Sequence, residues 1–215
     1  MVYAAARRAE KMSDLAAKGA RTIQMDVTNE ASMVAGFDRI AKETGGVDIL
    51  VNNAGYGSYG AIEDVPLDEA RRQFEVNLFG AARLTQLVLP GMRNRQFGRI
   101  VNVSSMGGKV YTGFAIIEPG GITTPWGDIS ADNLRKTSGN GVYRDRAEKT
   151  AASMKKMYAS GSLSSPQVVA AAIVRAVTAK RPKTRYPIGY MARPSILIRT
   201  LLGDRIFDRL ITAMM

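Results

Sequence analysis

Short apolar runs alternate with longer amphipathic stretches along this chain, and the alternation predicts strands and helices by turns. Val2–Ala6 reads as a strand ending on Arg7-Arg8. Ser13–Ala17 reads as helical, closed by Gly19, and Arg21–Met25 as a second strand followed by Asp26. Over Glu30–Thr44 the residues Met33, Val34, Phe37, Ile40 and Ala41 recur at helical spacing. Asp48–Val51 is a strand of the buried type, followed by the turn-rich Asn52-Asn53-Ala54-Gly55. Leu67–Leu89 predicts one long helix, stopped by Pro90-Gly91. Arg99–Val103 predicts a strand leading to Ser104-Ser105, and Phe114–Ile117 another closed by Pro119-Gly120-Gly121. Ser165–Lys180 predicts a helix with Ser165 as cap and Pro166 in its first turn. Tyr186–Ile188 reads as a last short strand and Pro194–Met215 as a broken apolar helix, while Ser138–Gly141 reads as a loop.

Strands alternating with helices imply an α/β fold with a parallel sheet covered on both faces. Ligands of such sheets bind at the carboxyl ends of the strands, and each turn-rich motif above follows a strand. No repeat, low-complexity tract or linker interrupts the pattern, so residues 1–215 read as a single domain.

Composition narrows the chemistry. The chain has neither cysteine nor histidine, so disulfides and thiolate metal sites are excluded, and the commonest general base is missing. Proton chemistry must run on Tyr, Lys, Asp, Glu, Ser or water, which removes most hydrolase triads. The formal charge is +11, but the basic pairs Arg7-Arg8, Arg71-Arg72, Lys155-Lys156 and Lys180-Arg181 lie far apart and no nucleic-acid signature accompanies them. A basic solvated surface is expected, with no nucleic-acid partner. No apolar run reaches the roughly 18–20 residues of a membrane span. The N-terminus has its charges after its apolar run, unlike a signal peptide, so a cytoplasmic location is expected.

Four motifs then occur in order. Asn52-Asn53-Ala54-Gly55 follows a strand, Asn77 stands in Asn-Leu-Phe-Gly within the next helix, and Arg99-Ile-Val-Asn-Val-Ser-Ser-Met-Gly-Gly delivers Ser105. Pro119-Gly120-Gly121-Ile122-Thr123-Thr124 follows a further strand. Together they resemble the short-chain dehydrogenase/reductase family over nearly the whole chain. The resemblance implies a Rossmann-type doubly wound parallel sheet, in three layers α/β/α, that binds a nicotinamide dinucleotide. It implies that Ser105 hydrogen-bonds the substrate oxygen and that Asn77 orders a water in a proton relay. Asn77 could equally be bonded to backbone at a helix kink, and both roles can hold. The turn with Pro119, Gly120, Ile122 and Thr124 would hold the nicotinamide end. Asn53, Ala54 and Gly55 would line the cofactor, with Gly55 and Gly120 permitting close backbone approach. Asp26, with Val27 beside it, would reach the adenine, or Asp26 would serve as a helix N-terminal carboxylate.

Arg7 and Arg8 close the strand that ends, in this fold, beside the adenine ribose. An acid there binds the 2′-hydroxyl of NAD, whereas arginine suits the 2′-phosphate of NADP. Ala4–Ala6 lead straight into the arginines, so NADP(H) is the expected cofactor, with no metal. The apolar stretch 194–215 reads as a substrate lid, a dimer contact or a membrane-facing helix, in that order. With Met106, Tyr56, Tyr59 and Trp126 nearby, a small apolar alcohol or carbonyl substrate is expected (a steroid, retinoid or lipid-like one). The resemblance further implies a homodimer or homotetramer.

Two parts of the family pattern are missing. There is no match to its Gly-rich pyrophosphate loop, and the chain opens on what should be the second strand. There is also no Tyr-x-x-x-Lys: Tyr3 is followed at the fourth position by Arg7, Tyr111 by Ala115, Tyr143 by Ala147 and Tyr158 by Ser162. The sheet is therefore expected to be incomplete. Parallel neighbours need a crossover of about a dozen residues, usually with a helix, and only Ser104–Gly113 separates the strands at 99–103 and 114–117. Without a first strand, the strands at 2–6 and 48–51 should not pair. Either chain is absent between Thr112 and Phe114, which is preferred because the motifs on both sides are intact, or the polypeptide is truly truncated and inactive.

Overall fold

A computed structural model describes residues 1–105 and 115–214. The chain divides into two compact units, Met1–Tyr56 with Arg71–Ile100, and Gly57–Ala70 with Val101–Met215.

In the first unit, β1 (Tyr3–Ala6) pairs in parallel with β2 (Arg21–Gln24), in register from Tyr3↔Arg21 to Ala6↔Gln24. A short 3₁₀ turn (Ala9–Met12) and α1 (Ser13–Ala17) connect them. Helix α2 (Glu30–Thr44) has the predicted bounds, and both ends have a physical cause. The Asn29 side-chain oxygen accepts the Ser32 N–H at 2.9 Å, and Gly45 closes the helix at φ 79°. Its apolar stripe brings Met33 onto Ile23 and Met25, with Ile40, Leu84 and Leu87 packed around them.

Strand β3 (Ile49–Asn52) neighbours β4 (Arg99–Val103), and the Arg99 N–H donates to the Asp48 carbonyl at 2.9 Å. Among the described residues β1 and β3 belong to different sheets, as expected for a sheet lacking the strand between them. Parallel strands are usually buried on both faces, yet Ile49 and Val51 remain 41% and 37% exposed.

The long helix expected over Leu67–Leu89 is three pieces: α3 (Leu67–Phe74), a π turn (Glu75–Phe79) and α4 (Gly80–Asn94). Pro90 does not stop it. Val88 and Met92 are both buried on either side of the proline, which offsets the lost backbone hydrogen bond and keeps the helix going to Asn94.

In the second unit the end of β4 pairs in parallel with β5 (Ala115–Pro119), which pairs in parallel with β6 (Arg185–Ile188). Helix α7 (Gln167–Thr178) lays Ala172 and Ala176 on Val101 and Ile117, and all four are buried. It starts just after Pro166, with the Ser165 hydroxyl accepting the Gln167 N–H at 3.4 Å. Two helices escaped the sequence pattern, α5 (Trp126–Ser138) and α6 (Arg144–Ala159). They pack through Ala131, Leu134, Ala147 and Ala151, so their buried stripe is made mostly of alanine. Helix α8 (Ala192–Met214) breaks at Gly203, φ 72° and ψ 170°. Among the described residues no helix is long and apolar enough to cross a membrane. Met106 and the junction at 112–114 lie outside the described residues.

Candidate active site

At the ends of β1 and β2, Arg7, Gln24, Asp26 and Ser32 line an open cleft of about 290 Å³. Arg7 and Arg8 are exposed there. The Asp26 carboxylate accepts the Thr28 N–H at 2.9 Å and the Thr28 hydroxyl at 2.8 Å, while its own N–H donates to the Ser32 hydroxyl at 3.0 Å. The Thr28 N–H chiefly holds the Asp26 carboxyl below its ordinary range, and the positive charges of Arg7 and Arg72 add to this. Asp26 is therefore an ionised turn-former in the field of two guanidinium groups. Asn29, not Asp26, supplies the side-chain cap of α2. Arg72 gave no signal in the sequence beyond its pairing with Arg71. Val27 packs against Gly80, where a Cβ would lie 2.6 Å from the Val27 carbonyl oxygen. Only glycine lets α4 approach this backbone so closely, and that requirement too was missed.

After β3, Asn53, Ala54 and Gly55 are exposed. Asn77 lies in the π turn, a departure from α-helix often found at functional positions. Its side-chain N–H₂ donates to the Tyr56 carbonyl at 2.8 Å and its oxygen accepts the Tyr56 N–H at 3.0 Å. This satisfies the turn after β3 from both sides, as a strand would, and leaves one N–H and one lone pair of the amide for other partners. Beside Gly55 a Cβ would lie 3.3 Å from Asn77 Oδ1, so the absence of a side chain there also makes room for the Asn77 amide.

In the second unit the turn after β5 is held by the protein's own backbone. The N–H groups of Gly120 and Gly121 donate to the carbonyls of Ile188 (2.8 Å) and Tyr190 (2.9 Å). Thr123 and Ser164 close a further pair, Thr123 N–H to Ser164 carbonyl at 2.9 Å and Ser164 N–H to Gly121 carbonyl at 3.1 Å. A Cβ on Gly120 would sit 2.1 Å from the Tyr190 carbonyl, so glycine is required there by chain packing. Ile122 is buried, and the Thr124 hydroxyl accepts the Trp126 N–H at 3.4 Å where α5 begins. Just before Pro119, Glu118 is 3% exposed and ion-paired with Arg185 of β6. The Ser104 N–H donates to the Ile117 carbonyl at 2.8 Å, and Ser105 follows it, exposed, at the end of β4.

The structure thus brings Arg7 to Asp26, and Gly55 to Asn77, in the first unit. In the second it gathers Pro119, Gly120, Ile122 and Thr124 into one clamped turn. An open cleft pairing guanidinium with carboxylate suits the hydroxyl, amine and phosphate groups of an adenosine phosphate. The Gly-rich pyrophosphate loop has no counterpart in the sequence.

Comparison with known proteins agrees with this geometry. The family profile described as short chain dehydrogenase matches residues 1–117. The chain belongs to the short-chain dehydrogenase family. The uncharacterized oxidoreductase YusZ of Bacillus subtilis is 31% identical over 90% of this chain and 81% of its own length. The 3-ketodihydrosphingosine reductase of Bacteroides thetaiotaomicron is 30% identical over 79% of this chain and 72% of its own. A short-chain dehydrogenase from Streptomyces avermitilis superposes with a TM-score of 0.75 at 25% identity, covering 99% of this chain and 89% of that one. The alignment with YusZ runs over 233 positions but takes in 90% of these 215 residues, so about 40 of its positions have no residue here. As a family member the chain has an α/β, Rossmann-like fold and belongs to a class of oxidoreductases that use nicotinamide cofactors.

Proposed function

We propose that this short-chain dehydrogenase is an NADP(H)-dependent oxidoreductase that interconverts an alcohol with a ketone or aldehyde on an apolar substrate. The observation that carries the cofactor choice is the cleft at the end of β1, where Arg7 stands where NAD enzymes of this fold place an acid. Arg7 and Arg8 bind the 2′-phosphate with charge-assisted bonds. Asp26 and Val27 face the adenine, and Asn53, Ala54 and Gly55 line the cofactor after β3. In the second unit Pro119, Gly120, Ile122 and Thr124 hold the nicotinamide end. The nicotinamide, when bound, gives or takes the hydride. Ser105 donates a hydrogen bond to the substrate oxygen, and Asn77 orients a water with the amide N–H that Tyr56 leaves unused.

The proton partner of hydride transfer belongs, on this reading, to residues absent from this sequence. The roughly 40 unmatched positions in the YusZ alignment support that, since they suffice for a crossover helix. An apolar substrate is supported by the lipid ketone named for the Bacteroides relative and by α8, where Leu197 and Leu201 are exposed at 58% and 72% as the face of a substrate lid. Exposed Phe74, Leu78 and Phe79 support a homodimer or homotetramer, and a cytoplasmic location completes the reading. The second reading is a catalytically inactive, cofactor- or partner-binding relative, favoured by the missing Tyr-x-x-x-Lys. Intact mass combined with NADPH oxidation against a panel of long-chain ketones separates the two. Turnover supports the enzyme. A mass equal to that of these 215 residues, with no turnover and no NADPH binding, defeats it.

A further inference from the structure

Three aromatic residues of the second unit meet beside the clamped turn. The rings of Tyr59 and Trp126 lie edge to face, 5.5 Å between centroids at 77°. Trp126 and Tyr158 are 6.3 Å apart at 36°. Each comes from a different element: the loop 57–65, the first residue of α5 and the end of α6. Glycines make the meeting possible. A Cβ on Gly127 would lie 2.3 Å from the Tyr158 ring, and one on Gly57 would lie 3.2 Å from both Trp126 and Tyr59. The loop is pinned by the Ala61 N–H, which donates to the buried Ser138 hydroxyl at 2.9 Å. Burial pushes both phenols up from their ordinary range, so they remain neutral across the working pH range.

A cluster that only filled a core would close over its largest ring. Here Trp126 keeps 36% of its surface exposed, and Ile129, one turn further along α5, keeps 58%. Only Pro125 separates Trp126 from Thr124, so the exposed indole stands immediately beyond the cofactor turn. We infer that Trp126, backed by Tyr59 and Tyr158, is the specificity-determining wall of the substrate site, and that it selects carbonyls and alcohols carrying a long apolar chain. The inference rests on the oxidoreductase reading for its location, but it concerns binding alone. Aromatic faces attract alkyl chains without directional bonds, so chain length, rather than polar substituents, sets affinity.

Trp126 is the sole tryptophan of the chain, so its fluorescence reports the wall directly. Titration of the purified protein with 2-dodecanone is expected to shift this emission saturably, at least tenfold tighter than 2-butanone, which corresponds to about 1.4 kcal/mol. Tyr158→Phe keeps the aromatic face and should keep that preference, whereas Tyr158→Ala should weaken dodecanone binding at least fivefold. Circular dichroism checks that both variants are folded, and Tyr59→Ala supplies a second truncation should Tyr158→Ala fail that check. Emission unmoved by dodecanone while NADPH is still oxidised by it would overturn the wall and leave the enzyme standing. Equal affinity for the two ketones would overturn it as well. A chain-length-dependent shift without turnover would keep the wall and sink the enzyme reading instead.

Discussion

Strands β3 and β5 carry similar apolar sequences and end in very different surroundings. Ile117 of β5 is wholly buried, flanked by β4 and β6 and covered by α7. Ile49 and Val51 of β3 are exposed at 41% and 37%, and among the described residues no strand lies between β3 and β1 in the way a doubly wound sheet requires. The turns that follow differ in step. The one after β5 is bonded to its own chain at Gly120, Gly121 and Thr123, whereas the one after β3 is held by side chains, Asn77 on both the N–H and the carbonyl of Tyr56 and Gln73 on that carbonyl at 3.5 Å. An apolar strand shows its neighbours by how much water it meets, and β3 meets too much.

Substitutions can break this comparison. Ile117→Ala should lower stability by about 4 kcal/mol, because it opens a cavity between two strands and a helix. Ile49→Ala should cost under about 1 kcal/mol on its half-solvated face. Urea unfolding measures both, and equal losses would mean that β3 is covered after all. Glu118→Gln should cost about 2 kcal/mol, since it replaces the charge-assisted bond of a buried carboxylate to Arg185 by a neutral one, and it should loosen the turn at Pro119. A loss below about 1 kcal/mol would show that water reaches the pair. Asn77→Ala should cost about 1 kcal/mol, since it removes the bonds of the Asn77 amide to the N–H and carbonyl of Tyr56. Hydrogen exchange at the Tyr56 amide should rise in that variant, and unchanged protection would contradict the bonding described.

The smallest effect concerns pH. Asp26 has a folded pKa below its ordinary value of 3.8. Its contribution to stability is therefore fully present above that value and disappears as pH falls through the lower, folded one. Asp26→Asn should flatten the acid limb of the urea-midpoint profile below pH 3.8. If wild type and variant keep parallel profiles there, the Thr28 bonds do not stabilise the ionised form.

Much of this was readable in advance where side-chain contrast was strong. The bounds of α2 follow from Asn29, the stripe through Met33, and Gly45. The missing pairing of β1 with β3 followed from counting strands. Helices α5 and α6 were not readable because Ala131, Ala147 and Ala151 bury a face without looking apolar against their neighbours. The π turn at Glu75–Phe79 leaves no mark on periodicity, and it is what turns Asn77 toward Tyr56. At the site, residue types announced Arg7, Asp26, Asn77 and the Pro119 turn. Arg72, Gly80 and Tyr158 depend on which elements come together in space, and local sequence carries no trace of that. Gly120 was readable as an obligatory glycine, and packing adds a reason that local sequence does not carry: a Cβ there would lie 2.1 Å from the Tyr190 carbonyl.

The proposed preference for NADP(H) rests on the cleft at Arg7, and calorimetric titration of the purified protein with NADPH and with NADH tests it most directly. NADPH should bind at least tenfold tighter, and Arg7→Ala should remove most of that preference while leaving NADH binding nearly unchanged. Equal affinity for the two dinucleotides, or a preference for NADPH untouched by Arg7→Ala, would contradict the account.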